Sequence, residues 1–294
     1  MISSRGRKIF VAIAGAAVTL VALLCIFPFW MVVIGSLTPE NEIYVRGYSL
    51  WPQTFSTEAY KLAFEDPGKI LRSYLVTVGI TGAGTAVSLF IVSMCGYVLQ
   101  RPDFKSRNFF TMFVFFTVLF NGGLVPWYIL MTNYLHLKDN YLALILPMMV
   151  NVFYLIIMKN FMRSIPGALI ESAKIDGAGE FYIFLRIVLP LAKPALASIG
   201  MFIALNYWND WRNGMLFMQD ETMYPLQYYL YRLLSSLDFL KSAAASTIDL
   251  GDQVFPSESF KLAMTVVATG PIIMLYPFVQ KYFVKGITIG AVKG

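Results

Sequence analysis

Charge is what this chain has least of: Asp, Glu, Lys and Arg together make up 14% of its 294 residues, against 57% hydrophobic and 16% aromatic. So few ionised groups cannot cover the surface of a water-soluble domain, and the bilayer is the expected solvent. Histidine occurs once, at His136, in a short turn with Lys138 and Asp139, and a lone imidazole builds no metal cluster. The two cysteines, Cys25 and Cys95, lie inside apolar runs, where they read as packing residues rather than a disulfide framework. No G-x-x-x-x-G-K-S/T segment occurs; Pro67-Gly68-Lys69 is followed by Ile70, so it reads as a turn and not a phosphate loop. No nucleophile with its base can be assembled either. The formal charge of +6 has no basic face with interleaved aromatics behind it, which argues against nucleic acid as a partner.

One further absence bears on energetics. The apolar cores of the spans described below lack Asp, Glu, Lys and Arg. An intramembrane ionisable relay costs at least about 2.5 to 3.5 kcal/mol per residue, so such groups are kept only where they are used. Their absence argues against proton coupling. Sodium coupling through backbone carbonyls stays open, although no matching pair of interrupted helices in inverted halves is visible. A chain with neither relay nor nucleotide motif must take its work from elsewhere.

What is present is a series of six long apolar runs, at about 9–37, 73–99, 109–131, 141–158, 195–217 and 260–283. The first follows Arg5, Arg7 and Lys8 and is too long for a signal peptide, and Pro28 is expected to kink it. The second is rich in small residues (Gly79, Gly82, Ala83, Gly84, Ala86), the composition of a close helix contact. The third is interrupted by Asn121-Gly122-Gly123 and Pro126-Trp127, which leaves open a cavity lining or a simple kink. Long acid-rich segments lie at 38–71 and 220–259, the latter with Tyr224, Tyr228, Tyr229 and Tyr231 as candidates for an interfacial aromatic belt. Lysine and arginine concentrate at 5–8, 101–107, 159–193 and 281–293. The positive-inside rule puts those flanks, and both termini, in the cytoplasm. The expected architecture is an all-α, polytopic membrane protein, with residues 1–71 as a first helix plus outer segment and 72–294 as the main transmembrane domain.

The loop at 164–194 is neither apolar enough to span nor irregular enough to be a linker. Its pattern predicts two short helices around a break. Ser164 is placed to cap the first, Pro166 is tolerated in its first turn, and Leu169, Ala173 and Ile175 supply an apolar side. Asp176-Gly177 stops it, glycine taking the left-handed conformation at little cost. A second helix begins near Glu180 and is closed by Pro190, giving an elbow with the acid Glu171 on its first arm. The residues alone fit an interfacial loop as well as a docking element.

The pattern Glu171-Ser172-Ala173, Ile175-Asp176-Gly177-Ala178, Ile187, Leu189-Pro190 and Pro194 resembles the E-A-A loop of permease subunits of bacterial ABC importers, in the MalG-like branch that takes up carbohydrates. Ser172 departs from the commonest Ala of that motif. Residues 206–211 and 280–294 share the likeness, which therefore covers most of the chain. The resemblance implies a type I importer permease (MetI-like) fold with a cytoplasmic coupling elbow, in the cell membrane. It implies a homologous permease subunit, a dimeric ATPase carrying the ATP and magnesium, and an extracytoplasmic solute-binding protein as partners. This chain itself would bind no cofactor and catalyse no reaction. Glu171, Ser172, Ala173, Asp176, Gly177 and Ala178 would meet the ATPase, Glu171 facing a basic group, while Asp176 also reads as a local cap.

If the ligand is a carbohydrate, amide side chains and aromatic planes are the groups that would handle it. Asn121, Trp127, Asn151, Asn206, Tyr207, Trp208 and Asn209 are the candidates, each alone also explicable as a helix contact or interface anchor. Two rivals are a secondary carrier or channel without an ATPase, and a membrane assembly or signalling protein without a substrate. Transport by the purified chain on an ion gradient would establish the first; ATP-dependent uptake requiring this chain would dismiss the second.

Overall fold

The computed structural model describes residues 5–247 and 257–291, and every regular element among them is helical. By contact the chain separates into two compact units, Met1–Pro67 with Arg232–Pro271, and Gly68–Tyr231 with Ile272–Gly294.

The first unit opens with α1 (Arg5–Ser36), which runs through Pro28 and exposes nearly all of its large apolar side chains from Ile9 to Val33. Such a helix has a use for lipid and none for water. Two short helices follow, α2 (Glu40–Arg46) and α3 (Glu58–Ala63), whose buried faces are Ile43, Ala59 and Ala63. Glu40 is buried too, and its carboxylate receives the Glu258 and Ser259 N–H groups, both at 2.8 Å. Those amides open the last helix of the chain, Glu258–Ala291, where orphan N–H groups need an acceptor.

The second unit begins with α4, whose helix already starts at Pro67 and reaches Gln100. Proline is at home in the first turn, where its missing N–H would have no partner, so 67–69 opens the helix instead of forming the expected turn. One face of α4, including Ser73, Thr77, Ile80, Gly84, Ser88 and Val92, is buried. The third run is broken: α5 (Arg107–Leu119) meets α6 (Leu124–Ile129) and its π-helical continuation (Leu130–Tyr134) at 112°. Gly123, at φ 88°, makes that corner, so the interruption is a turn and not a gentle kink. The fourth run bends by 54° between α7 (Leu142–Ile145) with its 3-10 extension (Leu146–Met148) and α8 (Val152–Arg163). Asn151 caps α8, its Oδ1 accepting from the Phe153 and Tyr154 amides.

Next come α9 (Gly167–Ile175), α10 (Glu180–Ile183), a π-helical stretch (Phe184–Val188) and α11 (Leu189–Leu191). An 83° bend leads into α12 (Lys193–Trp208), followed by α13 (Arg212–Phe217). Asp210 and Arg212, inside the expected run 195–217, thus stand beyond the end of α12. A 3-10 turn (Glu221–Met223) leads to α14 (Leu226–Thr247), and the chain ends in α15 (Glu258–Ala291). Tyr224 and Tyr228, expected in an aromatic belt, are buried in the core, because α14 docks here and Leu226 donates its N–H to Thr77 Oγ1 at 2.7 Å. Tyr231 does face outward, stacked on Trp211.

Among the described residues two helices are long and apolar enough to cross a membrane, α1 and α4, or up to five if each bent pair counts as one. The sixth expected run falls on α15, whose side chains past residue 274 lie outside the described residues, as do the basic tail and Asp249 and Asp252 of the acidic segment.

Candidate functional site

Pro166 precedes α9 as its N-cap, and Ser164 instead ends α8, its Oγ donating to the Phe161 carbonyl. The apolar side of α9 also differs from the expected one. Ile170 and Ala173 are buried, whereas Leu169 (44% exposed) and Ile175 (87%) face outward. Ile170 and Ala173 seat this arm, which leaves Leu169 and Ile175 facing away from the chain's own core.

The break is a Schellman motif. Gly177 adopts φ 80°, its N–H donates to the Lys174 carbonyl at 3.0 Å, and the Ala178 N–H reaches back to Ala173 at 2.9 Å. Asp176 is the C-cap of α9 and Gly179 the N-cap of α10, so Asp176 caps the first arm and not the second. Pro190 does not close the second arm: the chain remains helical to Leu191, the π-helical turn before it having already shifted the ladder. Of the six elbow residues singled out in the sequence, Ala173 is buried, Ala178 is half-buried, and Glu171, Ser172, Asp176 and Gly177 are exposed. Glu171 also lines a cavity of 620 Å³ that Arg101, Arg107, Lys159, Arg163 and Lys174 share.

Sequence reasoning missed the charges that hold this elbow. Arg101, only 8% exposed, follows α4 directly. Its guanidinium donates to Asp103 through Nε (2.8 Å) and Nη2, to Glu180 through Nη1 (2.9 Å) and Nη2 (3.1 Å), and to Tyr97 Oη (2.7 Å). The Tyr97 hydroxyl in turn donates to Glu180 at 3.0 Å. Lys174 of α9 lies 2.7 Å from Glu180 and 3.3 Å from Asp103. The Arg101 guanidinium, with help from Lys174, holds the Asp103 carboxyl well below the usual carboxylate range; Lys174, then Tyr97 and Arg101, lower Glu180. In the sequence Arg101 reads only as part of the basic flank at 101–107 that marks the cytoplasmic side. The available signal was Lys174 and Glu180, an opposite-charge pair straddling the helix break.

The seven ligand candidates do not form one cluster of free groups. Tyr207 and Trp208 are buried at 3% and 6% exposure. Tyr207 packs against Gly84, donates its hydroxyl to the Ile145 carbonyl at 2.9 Å and lies 3.1 Å from Ser88 Oγ. Asn206 donates to Tyr154 Oη at 3.0 Å, and Asn151 caps the helix that carries that tyrosine. Asn121 and Trp127 sit at the corner between α5 and α6, where Asn121 Oδ1 receives the Gly123 N–H and Trp127 packs on the core. Asn209 caps the end of α12 and is exposed.

A family model for the binding-protein-dependent transport system inner membrane component matches residues 67–289. The chain belongs to that family. This permease is 43% identical over 274 residues to protein LplC of Bacillus subtilis (strain 168), covering 93% of this chain and 91% of that one. It is 41% identical over 273 residues to the polygalacturonan/rhamnogalacturonan transport system permease protein YtcP of the same organism, covering 93% and 94%. A solved relative is a chain in the crystal structure of a bacterial ABC transporter involved in the import of the acidic polysaccharide alginate. That chain aligns with a TM-score of 0.78 and 28% identity over 96% of this chain and 99% of its own length. The protein is therefore a permease of an ABC importer, a helical membrane protein and not an enzyme. The carrier or channel working without an ATPase is not favoured.

Proposed function

We propose that this permease passes oligosaccharides released from a uronate-containing polysaccharide across the membrane, as half of a heterodimeric pathway. The observation that carries this reading is the 41% identity, along nearly the whole of both chains, to a permease named for polygalacturonan and rhamnogalacturonan. The alginate importer, also acidic in its cargo, supports the same class from the side of structure. The pathway is formed by six spans, α15 supplying the last, with both termini and the elbow in the cytoplasm. An extracytoplasmic binding protein delivers the sugar to the segments at 38–71 and 220–259. Asn206 and Asn151, with Asn121, Trp127 and Asn209, are the groups that meet its hydroxyls and ring faces. Tyr207 and Trp208 act behind them as packing.

The elbow is the contact with the ATPase dimer, whose partner subunits hold the ATP and magnesium. Exposed Glu171 and Ile175 supply a charge and an apolar plug, and Ala173, Gly177 and Ala178 keep the surface low enough for close seating. Ser172 and Asp176 complete the exposed edge. The second permease subunit has a suitable face in the exposed small-residue strip of α4 at Gly79, Gly82, Ala83 and Ala86.

Proteoliposomes containing the permease, its partner subunit, the ATPase and the binding protein test this directly. Labelled galacturonan oligosaccharides are expected to accumulate on addition of ATP. Uptake confined to neutral arabino-oligosaccharides would overturn the substrate class, and uptake by this chain alone without ATP would overturn the whole reading. In the same system Glu171→Ala is expected to cut ATPase co-purification or ATP-driven uptake by about tenfold, the loss of one charge-assisted contact.

A further inference from the structure

The four charges at the elbow close into a ring in which each cation touches both anions: Arg101 meets Asp103 and Glu180, and Lys174 meets the same two. From this juxtaposition we infer that Arg101 and Glu180 are positioning residues, a brace that fixes the angle between the elbow arms and passes their displacement to α4. The inference rests on the reading of the elbow as the ATPase contact.

Three features of the geometry carry it. The arms meet only through Gly177-Ala178-Gly179, and glycine on both sides of the corner makes that joint soft. The Lys174–Glu180 contact spans it from the last turn of α9 to the first residue of α10, so the joint cannot flex without breaking an ion pair. Second, the ring continues into α4 through Tyr97 on its last turn and Arg101 just beyond its end, and α4 is the longest buried-face helix of its unit. Third, the central cation is arginine. Its planar fork holds two carboxylates and a phenol at once, which a lysine ammonium cannot reproduce. Arg101 is nearly buried, whereas the Asp103 and Glu180 side chains are 57% and 56% exposed. Pairs this exposed contribute little to folding stability, so what the ring supplies is stiffness. Two positive and two negative groups cancel, leaving no net charge with which to hold an ion.

The test uses the complete transporter in proteoliposomes and reads sugar imported per ATP hydrolysed, yield of the assembled complex and thermal midpoint. Glu180→Gln is expected to lower import per ATP by about fivefold, the scale of a coupling contact of 1 kcal/mol, with complex yield and midpoint unchanged. Glu180→Asp, which keeps the charge, is expected to restore most of that ratio. Lys174→Gln, on the exposed side of the ring, should repeat the defect without touching a buried group. An unchanged ratio in both neutral variants overturns the brace, as does an Asp variant as defective as Gln. Loss of the ATPase from the Glu180→Gln complex also overturns it, because the residue would then be a docking contact. Glu171→Ala serves as reference: if it too leaves uptake and assembly intact, the elbow reading itself has failed, and if it alone is defective, only the brace has.

Discussion

Two glutamates hold helix ends in this permease by opposite chemistry. Glu40 is 6% exposed and receives amides and hydroxyls: the N–H groups of Glu258 and Ser259 and the Oγ atoms of Ser257 and Ser259, at 2.8 to 3.2 Å. Burial alone would raise its pKa, but these donors outweigh burial and lower it. Glu180 instead receives a guanidinium, an ammonium and a phenol, with more than half of its side chain in water. A carboxylate buried at a helix N-terminus completes donors that have no other acceptor, so its removal leaves them dry. A carboxylate in an exposed ion-pair ring can be replaced by water at each contact. The first arrangement is suited to a fixed anchor and the second to a part under load.

Breaking the anchor should have the largest effect. Glu40→Ala is expected to destabilise the detergent-solubilised protein by about 3 kcal/mol, since it strands several buried donors at once, with Glu40→Gln milder; a thermal melt checks both. Gly177→Ala forces a side chain into the left-handed region at the elbow and should cost about 1 to 2 kcal/mol. Glu180→Gln should cost less than about 1 kcal/mol, a melt nearly coincident with wild type despite the transport defect. A Glu180→Gln melt shifted as far as that of Glu40→Ala would erase the contrast. Salt sharpens it further. Raising the salt to about 1 M shortens the screening length to about 3 Å, so the ring should weaken while the Glu40 contacts persist.

Acid acts on both with the same sign. Asp103, Glu180 and Glu40 all sit below their ordinary values when folded. Each therefore adds stability above its unfolded pKa and loses it as pH falls through the lower, folded value. Midpoints should stay flat as the pH descends toward the usual carboxylate range and drop only beneath it. A decline beginning near neutrality would show that other groups govern acid sensitivity.

Much of this was legible in the sequence, and the residues show why the rest was not. Gly177 as a stop and the helix start at Glu180 are local signals that the elements follow, whereas the apolar runs mark where helices lie but not the 112° and 54° bends inside two of them. Pro67, Ser164 and Pro190 misled because each is compatible with two neighbouring roles: Pro67 opens α4, Ser164 ends α8, and Pro190 sits inside a helix whose ladder the π turn has already offset. The burial of Tyr224 and Tyr228 depends on where α14 docks, which no local pattern encodes. The ring around Arg101 was hidden for the same reason. Its members lie up to 79 positions apart, and each alone looked like a topology marker or a helix-end charge.

The bond from Tyr207 to the Ile145 carbonyl limits how this protein can change over time. That carbonyl lies at the 3-10 turn where the fourth run bends by 54°, and the tyrosine hydroxyl ties the turn to α12 across the packing between them. Exchange of tyrosine for phenylalanine, among the mildest of substitutions in most interiors, would here cut that tie and the contact with Ser88 at one stroke. Gly84 is tied to the same ring, since a methyl group there would lie 2.6 Å from its Cζ. Neither position can drift by itself; a viable lineage has to alter both together or straighten the bend.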